Sequence, residues 1–214
     1  MSGGKKNRLG TPQGGVISPL YANCYINRYL KHWRKKGCDQ RFAAHIVNYA
    51  DDFVILSRGR AEQALTWTRG VMKKLGLEIN ETKTCIRQAR CEQFKFLGYS
   101  FGLHYTRRGQ RYLGASASKK AVQSIKDRIG ALLIPTPKQW EEIRTKLNQM
   151  LTGWENYYHY GSKRKSYRAV NAHVRTKVRN FMQRRHKVSS RGTQRYSHEH
   201  IFDTMGVHEL GKWR

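Results

Sequence analysis

Two adjacent aspartates, Asp51 and Asp52, sit inside NYADDFVIL (residues 48–56), between Tyr49 on one side and Phe53, Val54, Ile55 and Leu56 on the other. Adjacent like charges repel, so such a pair marks either a solvated turn or a site that gathers divalent cations. FAAHIVNY (42–49) and DFVILS (52–57) both read as strands with almost nothing between them. The pattern predicts a tight hairpin whose tip carries Asp51 and Asp52. A tip of this kind can hold a carboxylate rigidly, as the near-octahedral geometry of Mg2+ demands. Phosphoryl transfer by two metals asks for more: ions roughly 3.5 to 4 Å apart, bridged by carboxylates from more than one element.

Flanking elements must position that tip. GTPQGG (10–15) is a turn-rich loop. After it, Ser18 as N-cap and Pro19 at the first helical position open a helix with apolar residues at Leu20, Tyr21, Cys24, Ile26, Leu30 and Trp33, and Gly37 stops it. Residues 60–75 fit an amphipathic helix that buries Ala64, Leu65, Trp67, Val71, Met72 and Leu75. LEIN, TKTCI and FKFLGYSF supply three strand candidates, and QRYLGA another. Hairpins mixed with helices, without regular β-α-β repeats, predict an α+β region with an antiparallel sheet backed by helices over 1–115. From about residue 118 strand signals cease. SKKAVQSIKDRIGALL, a segment starting at Thr136 and Pro137, and SYRAVNAHVRTKVRNFMQRRHK predict a helical bundle over 116–190, with a basic extension over 191–214.

The chain has 42 Lys and Arg against 14 Asp and Glu, a net charge of +28 and a pI near 10.4. Self-repulsion of that size points to a polyanionic partner, nucleic acid before an anionic membrane surface. No run approaches the roughly 18 apolar residues of a membrane span. The N-terminus lacks the apolar core of a secretory signal, so a cytoplasmic setting is expected. Cys24, Cys38, Cys85 and Cys91 contain no CxxC pair, which argues against a zinc ribbon, and the His198-Glu199-His200 run reads as a helix start. Residues 163–195 hold twelve Lys or Arg and no acid. Val170, Val174, Val178 and Phe181 recur there at helical spacing, so one face can pack while Lys163, Arg164, Lys165, Arg168, Arg175, Lys177, Arg179, Arg184 and Arg185 remain to meet phosphates. Trp154, Tyr157, Tyr158 and Tyr160 beside them suit stacking on unpaired bases, with core packing the favoured reading for Trp154 and Tyr157.

GTPQGGVISPLYANCYI, YADD, LGLEINETKT and FKFLGY, in that order, resemble the later blocks of the palm of group II intron reverse transcriptases. LNQMLTGWENYYHYG and the basic helix after it resemble the maturase, or thumb, domain of the same family. The resemblance spans about residue 9 to about residue 210. It implies a partial palm carrying the YADD hairpin, followed by an α-helical thumb. It further implies Asp51 and Asp52 as Mg2+ ligands, Lys83 as a cation near the leaving pyrophosphate, and Tyr49 and Ala50 beneath the primer end or nucleotide. Pro12, Gln13 and Gly14 would contact nucleotide and template; Phe96, Leu97, Gly98 and Tyr99 would form the primer grip. RNA, a DNA primer and deoxynucleotides are the implied partners.

One departure stands out: a palm of this family takes a further metal-binding aspartate from upstream of the GTPQGG block, and the residues ahead of Gly10 include no acid. Two readings follow from it. The chain is an RNA-directed DNA polymerase in truncated or split form, completed by a separate polypeptide, or it is a non-catalytic RNA-binding module that assists splicing. A retron or CRISPR-associated reverse transcriptase shares YADD but fits GWENYYHYG less well.

Overall fold

The computed structural model describes residues 15–106, 108–188, 190 and 192–212. Packing divides the chain into two compact units, 1–86 and 87–214. That division precedes the composition change near residue 115, because the β-strands between pack with the helices that follow them.

In the first unit, α1 (Ser18–Lys35) and α2 (Cys38–Arg41) lead into β1 (Ala44–Tyr49), β2 (Asp52–Ser57) and α3 (Ala61–Lys74). β1 and β2 pair antiparallel, with Ala44 opposite Ser57 and Tyr49 opposite Asp52. The period of two turns Ala44, Ile46, Phe53 and Ile55 toward the helices and leaves Val47, Tyr49 and Leu56 outward. The core gathers Tyr29, Trp33, Phe42, Ala64, Val71 and Met72. Trp33 meets Trp67 edge-on at 5.4 Å between ring centres, a favoured aromatic arrangement. Polar atoms inside are matched: Tyr29 Oη lies 3.0 Å from Thr68 Oγ1, and Trp33 Nε1 donates to Asp39 Oδ1 at 2.7 Å.

The second unit opens with a three-stranded antiparallel sheet: β3 (Phe94–Phe96), β4 (Tyr99–Tyr105) and β5 (Arg111–Ala117), in that order. It continues with α4 (Lys119–Leu132), α5 (Trp140–Tyr157) and α6 (Arg164–Arg185). Ile125 and Ile129 of α4, Ile143, Leu147 and Leu151 of α5, and Val170, Val174 and Val178 of α6 recur every three or four residues and meet in one core. Ser118 caps α4 by accepting from Ala121 N at 3.2 Å.

Several boundaries differ from the sequence reading. Ile17, not Ser18, is the N-cap of α1, since Ile17 O accepts from both Leu20 N and Tyr21 N. LEIN and TKTCI form no strand. Asn80 captures this backbone in a turn instead, its Oδ1 accepting from Lys83 N at 3.2 Å and from Thr82 Oγ1 at 2.7 Å. FKFLGYSF is two strands, because Leu97 and Gly98 both take positive φ (48° and 75°), as a tight type I′ turn requires. α5 starts at Trp140 rather than at Thr136: Pro135 and Pro137 disfavour helix in the residues before them, and Thr136 Oγ1 takes Lys138 N–H locally. The expected extension from 191 folds back onto the helices over its described residues, burying Tyr196, Ile201, Phe202, Val207 and Leu210. Two helix-borne amides clamp it. Asn148 donates to Gly206 O and accepts from His208 N, both at 2.8 Å, and Asn171 does the same with Leu210 O and N at 3.0 and 3.1 Å. Among the described residues no helix is long and apolar enough to cross a membrane.

Candidate functional site

Two residues, Ala50 and Asp51, join β1 to β2. Ala50 has φ +52°, the positive value that primed hairpin turns need at their first central position. Asn48 straps this tip: its Nδ2 donates to Ala50 O at 2.8 Å and to Asp52 O at 3.2 Å. Asp51 therefore occupies the turn and Asp52 the first rung of β2, opposite Tyr49; all three are exposed. Tyr49, 63% exposed, lies on the outward face of the pair. As hard oxygen donors the two carboxylates suit Mg2+ in kind. In number they fall short, since among the described residues no three His, Cys, Asp or Glu side chains gather as a metal-holding group. Lys83 sits exposed in the Asn80 turn, in the same unit but without a hydrogen bond or ion pair to either aspartate among the described residues. Pro12, Gln13 and Gly14 lie outside the described residues.

Phe96, Leu97, Gly98 and Tyr99 form the β3–β4 turn, and the tyrosines at the end of α5 seize it. Tyr157 Oη donates to Leu97 O at 3.0 Å, and Tyr99 Oη donates to Tyr157 O. Tyr158 packs on Tyr99 and Trp154 at 5.1 and 4.8 Å between ring centres. Burial among these rings pushes the Tyr158 hydroxyl above its usual pKa. A Cβ on Gly98 would come within 2.4 Å of the Tyr158 hydroxyl. The loop after α5 closes on the sheet edge: Ser162 N donates to Ala115 O at 2.8 Å, and Tyr112 Oη meets Ser162 Oγ at 2.7 Å. Tyr157 and Tyr158 of GWENYYHYG thus join sheet to helices, Trp154 is core, and Tyr160 stays 71% exposed.

On α6 the nine basic candidates do not form one cluster. Arg164, Arg168, Arg175 and Arg179 stand at i, i+4, i+11 and i+15 on one helical face, about 110° round the helix from the buried valines. The first three are exposed, as is the neighbouring Lys165, and Arg179 is half-buried with its stem against Gly192. None of the four arginines makes an ion pair among the described residues. Lys177 lies elsewhere, over Gly130 in the groove with α4. His173 shares that groove, 3.1 Å from Lys126 O, and burial holds its imidazole below the usual pKa. Arg185 donates to Lys138 O at 2.7 Å, Lys163 lies over the Tyr167 ring, and Arg184 is exposed away from the stripe. Asn48, Asn148 and Asn171 are not marked by the sequence pattern, which shows Gly161 only as a helix break. An asparagine beside a predicted turn was the available signal for the first; the others act through partners distant in sequence.

Comparison with known proteins matches residues 1–101 to the family "Reverse transcriptase (RNA-dependent DNA polymerase)" and residues 122–198 to the family "Group II intron, maturase-specific domain". The chain is also similar to Protein YkfC of Escherichia coli (strain K12), at 29% identity over an alignment covering 58% of this chain and 40% of that protein. It thus spans well under half the length of that relative.

Proposed function

In a chain that belongs to the group II intron reverse transcriptase/maturase family, we propose that the arginine face of α6 holds structured RNA as a maturase does, and that the β1–β2 aspartates belong to a nucleotidyl-transfer site. The reading is carried by a stretch of twelve Lys or Arg without an acid over 163–195, within which Arg164, Arg168, Arg175 and Arg179 share one side of a single helix and make no ion pair among the described residues. Arginine forks match phosphate oxygens two at a time, and the neighbouring phosphates of an RNA backbone present such oxygens along the helix. Counterion release then supplies the affinity.

For the polymerase half, Asp51 and Asp52 at the strapped tip are the ligands this chain offers to Mg2+, which when bound neutralises charge on the nucleotide phosphates. Tyr49, outward beside Asp52, would support the primer end, with Ala50 leaving room for it. Gln13 and Gly14 would contact the nucleotide and template, and Lys83 the departing pyrophosphate. The β3–β4 turn at 96–99 would hold the primer strand, kept in place by Tyr157 and Tyr158. The reading requires a further carboxylate and the template-holding fingers from polypeptide outside these 214 residues. If they are never supplied, the chain is an RNA-binding module that assists splicing.

Ultraviolet crosslinking of the whole chain to structured intron-type RNA, followed by peptide mapping, tests the binding half. Crosslinks are expected within 157–185; crosslinks confined to 15–86 contradict it. Primer extension on an RNA template with Mg2+, lost on Asp51→Ala, is the result expected if the site is completed. Extension that survives Asp51→Ala rejects the role given to the hairpin.

A further inference from the structure

We infer that α6 and the loop ahead of it recognise a junction in RNA: a duplex stretch gripped through its phosphates by Arg164, Arg168, Arg175 and Arg179, and the unpaired base beside it stacked on Tyr160. This rests on the RNA-binding reading above and specifies the form of RNA.

The arginines fall into two pairs. Within each pair one helical turn, about 6 Å, separates the side chains, and the pair centres are about 16 Å apart along the axis. Ala172, exposed between the pairs on the same face, leaves a shallow saddle. Such a face cannot reach into a deep groove, and two charges fixed this far apart would overshoot the minor groove of B-form DNA, about 6 Å wide. The minor groove of an A-form duplex is wide and shallow, with phosphate ridges on both sides that two such pairs can straddle.

Tyr160 stands four residues before Arg164, so the two Cα atoms lie within about 14 Å. Its exposure is enforced by its neighbour. Gly161, at φ +69°, is pressed so close to β5 that a Cβ there would lie 2.2 Å from Ala115 O. Ser162 fastens the loop on the far side, through Ala115 O and the Tyr112 hydroxyl. The ring of Tyr160, tilted 4.9 Å from His159, is therefore presented on a fixed mount. A preformed aromatic face loses little freedom when a base stacks on it. Pairing a stacking face with a phosphate track makes sense where paired RNA gives way to unpaired, since bases inside a duplex have no free face.

The test measures binding of the full chain to three probes: a blunt RNA duplex two helical turns long, the same duplex with a short single-stranded overhang, and the DNA version of the blunt duplex. The overhang is expected to strengthen binding by about fivefold or more, the lower end of what base stacking supplies. Tyr160→Ala should erase that gain and Tyr160→Trp restore it, with blunt-duplex binding unchanged in both. Ala172→Tyr should weaken both RNA duplexes by filling the saddle. Joint replacement of Arg175 and Arg179 by alanine should lower the salt slope by about two on either RNA probe. An overhang without effect, or an overhang gain that survives Tyr160→Ala, overturns the junction. Equal affinity for the DNA duplex, or indifference to Ala172→Tyr, overturns the straddled groove. In each case RNA binding that still depends on the arginines leaves the broader reading standing, and loss of that dependence removes both.

Discussion

Replacing Gly161 by alanine tests the joint between the β3–β5 sheet and the helices. At φ +69° an alanine pays roughly 1–2 kcal/mol for the left-handed backbone. Its Cβ would lie 2.2 Å from Ala115 O, well inside the 3.0 Å that real neighbours respect, and the neighbour is backbone, not a mobile side chain. The loop must retreat by most of an ångström, which breaks the Ser162–Ala115 hydrogen bond and draws Ser162 from Tyr112. Each of these contributes about 1 kcal/mol. The sum is about 3–4 kcal/mol, and the thermal midpoint of the C-terminal unit should drop by roughly 10 °C. Gly153 is the control: it lies inside α5 with nothing within 4 Å of a built Cβ, so Gly153→Ala should raise stability by about 0.5–1 kcal/mol. Melting is followed by circular dichroism, with hydrogen exchange of α5 and α6 to locate the change. If Gly161→Ala melts with the wild type, or if both glycines respond alike, the close approach argued for this loop is wrong.

Other outcomes follow from the same geometry. Ala50→Gly should stabilise the β1–β2 pair by about 1 kcal/mol by relieving a positive φ, whereas Asn48→Ala should speed amide exchange at Asp51 and Asp52; unchanged exchange would mean that the strap does not hold the tip. Burial pushes the Tyr29 hydroxyl up to about 12. An unfolded tyrosine ionises near 10, so this contribution is full below about pH 10 and lost as pH rises toward 12, about 2–3 kcal/mol in all. Urea titrations of the wild type and Tyr29→Phe across that range check it, the variant losing that part of the slope. Asn171→Ala frees both hydrogen bonds to Leu210 and should expose residues 205–212 to proteolysis; a cleavage pattern like the wild type's would refute the clamp.

What was legible in the sequence is what repeats locally. Alternation over 42–57 placed β1, β2 and the aspartates at their junction, because one buried face imposes a period of two. Valines spaced along α6 marked its buried side, and so the side left for arginine. Competition among local hydrogen bonds was less visible: Asn80 takes a segment of strand-like composition into a turn. Long-range partners were invisible. Asn148 and Asn171 read as ordinary helix polar residues, yet their partners lie some 40 to 60 residues away. Within GWENYYHYG the sequence favours core packing for Trp154 and Tyr157; Trp154 is core, whereas Tyr157 is half-exposed with its hydroxyl committed to the β3–β4 turn, and Tyr160 beside the β5 edge is left in solvent. The grouping of nine basic residues also needed a structure, since rotation about α6 separates Lys177 and Arg185 from the stripe.

Whether the α6 arginines hold the RNA is decided by the salt dependence of RNA affinity, measured side by side for the wild type, Asp51→Ala, and a variant with Arg164, Arg168, Arg175 and Arg179 all replaced by alanine. The logarithmic slope of the four-arginine variant is expected to be shallower by about four, one for each phosphate no longer neutralised, while Asp51→Ala follows the wild type. Parallel lines for the wild type and the four-arginine variant would contradict it, because the RNA would then be held by some other part of the chain.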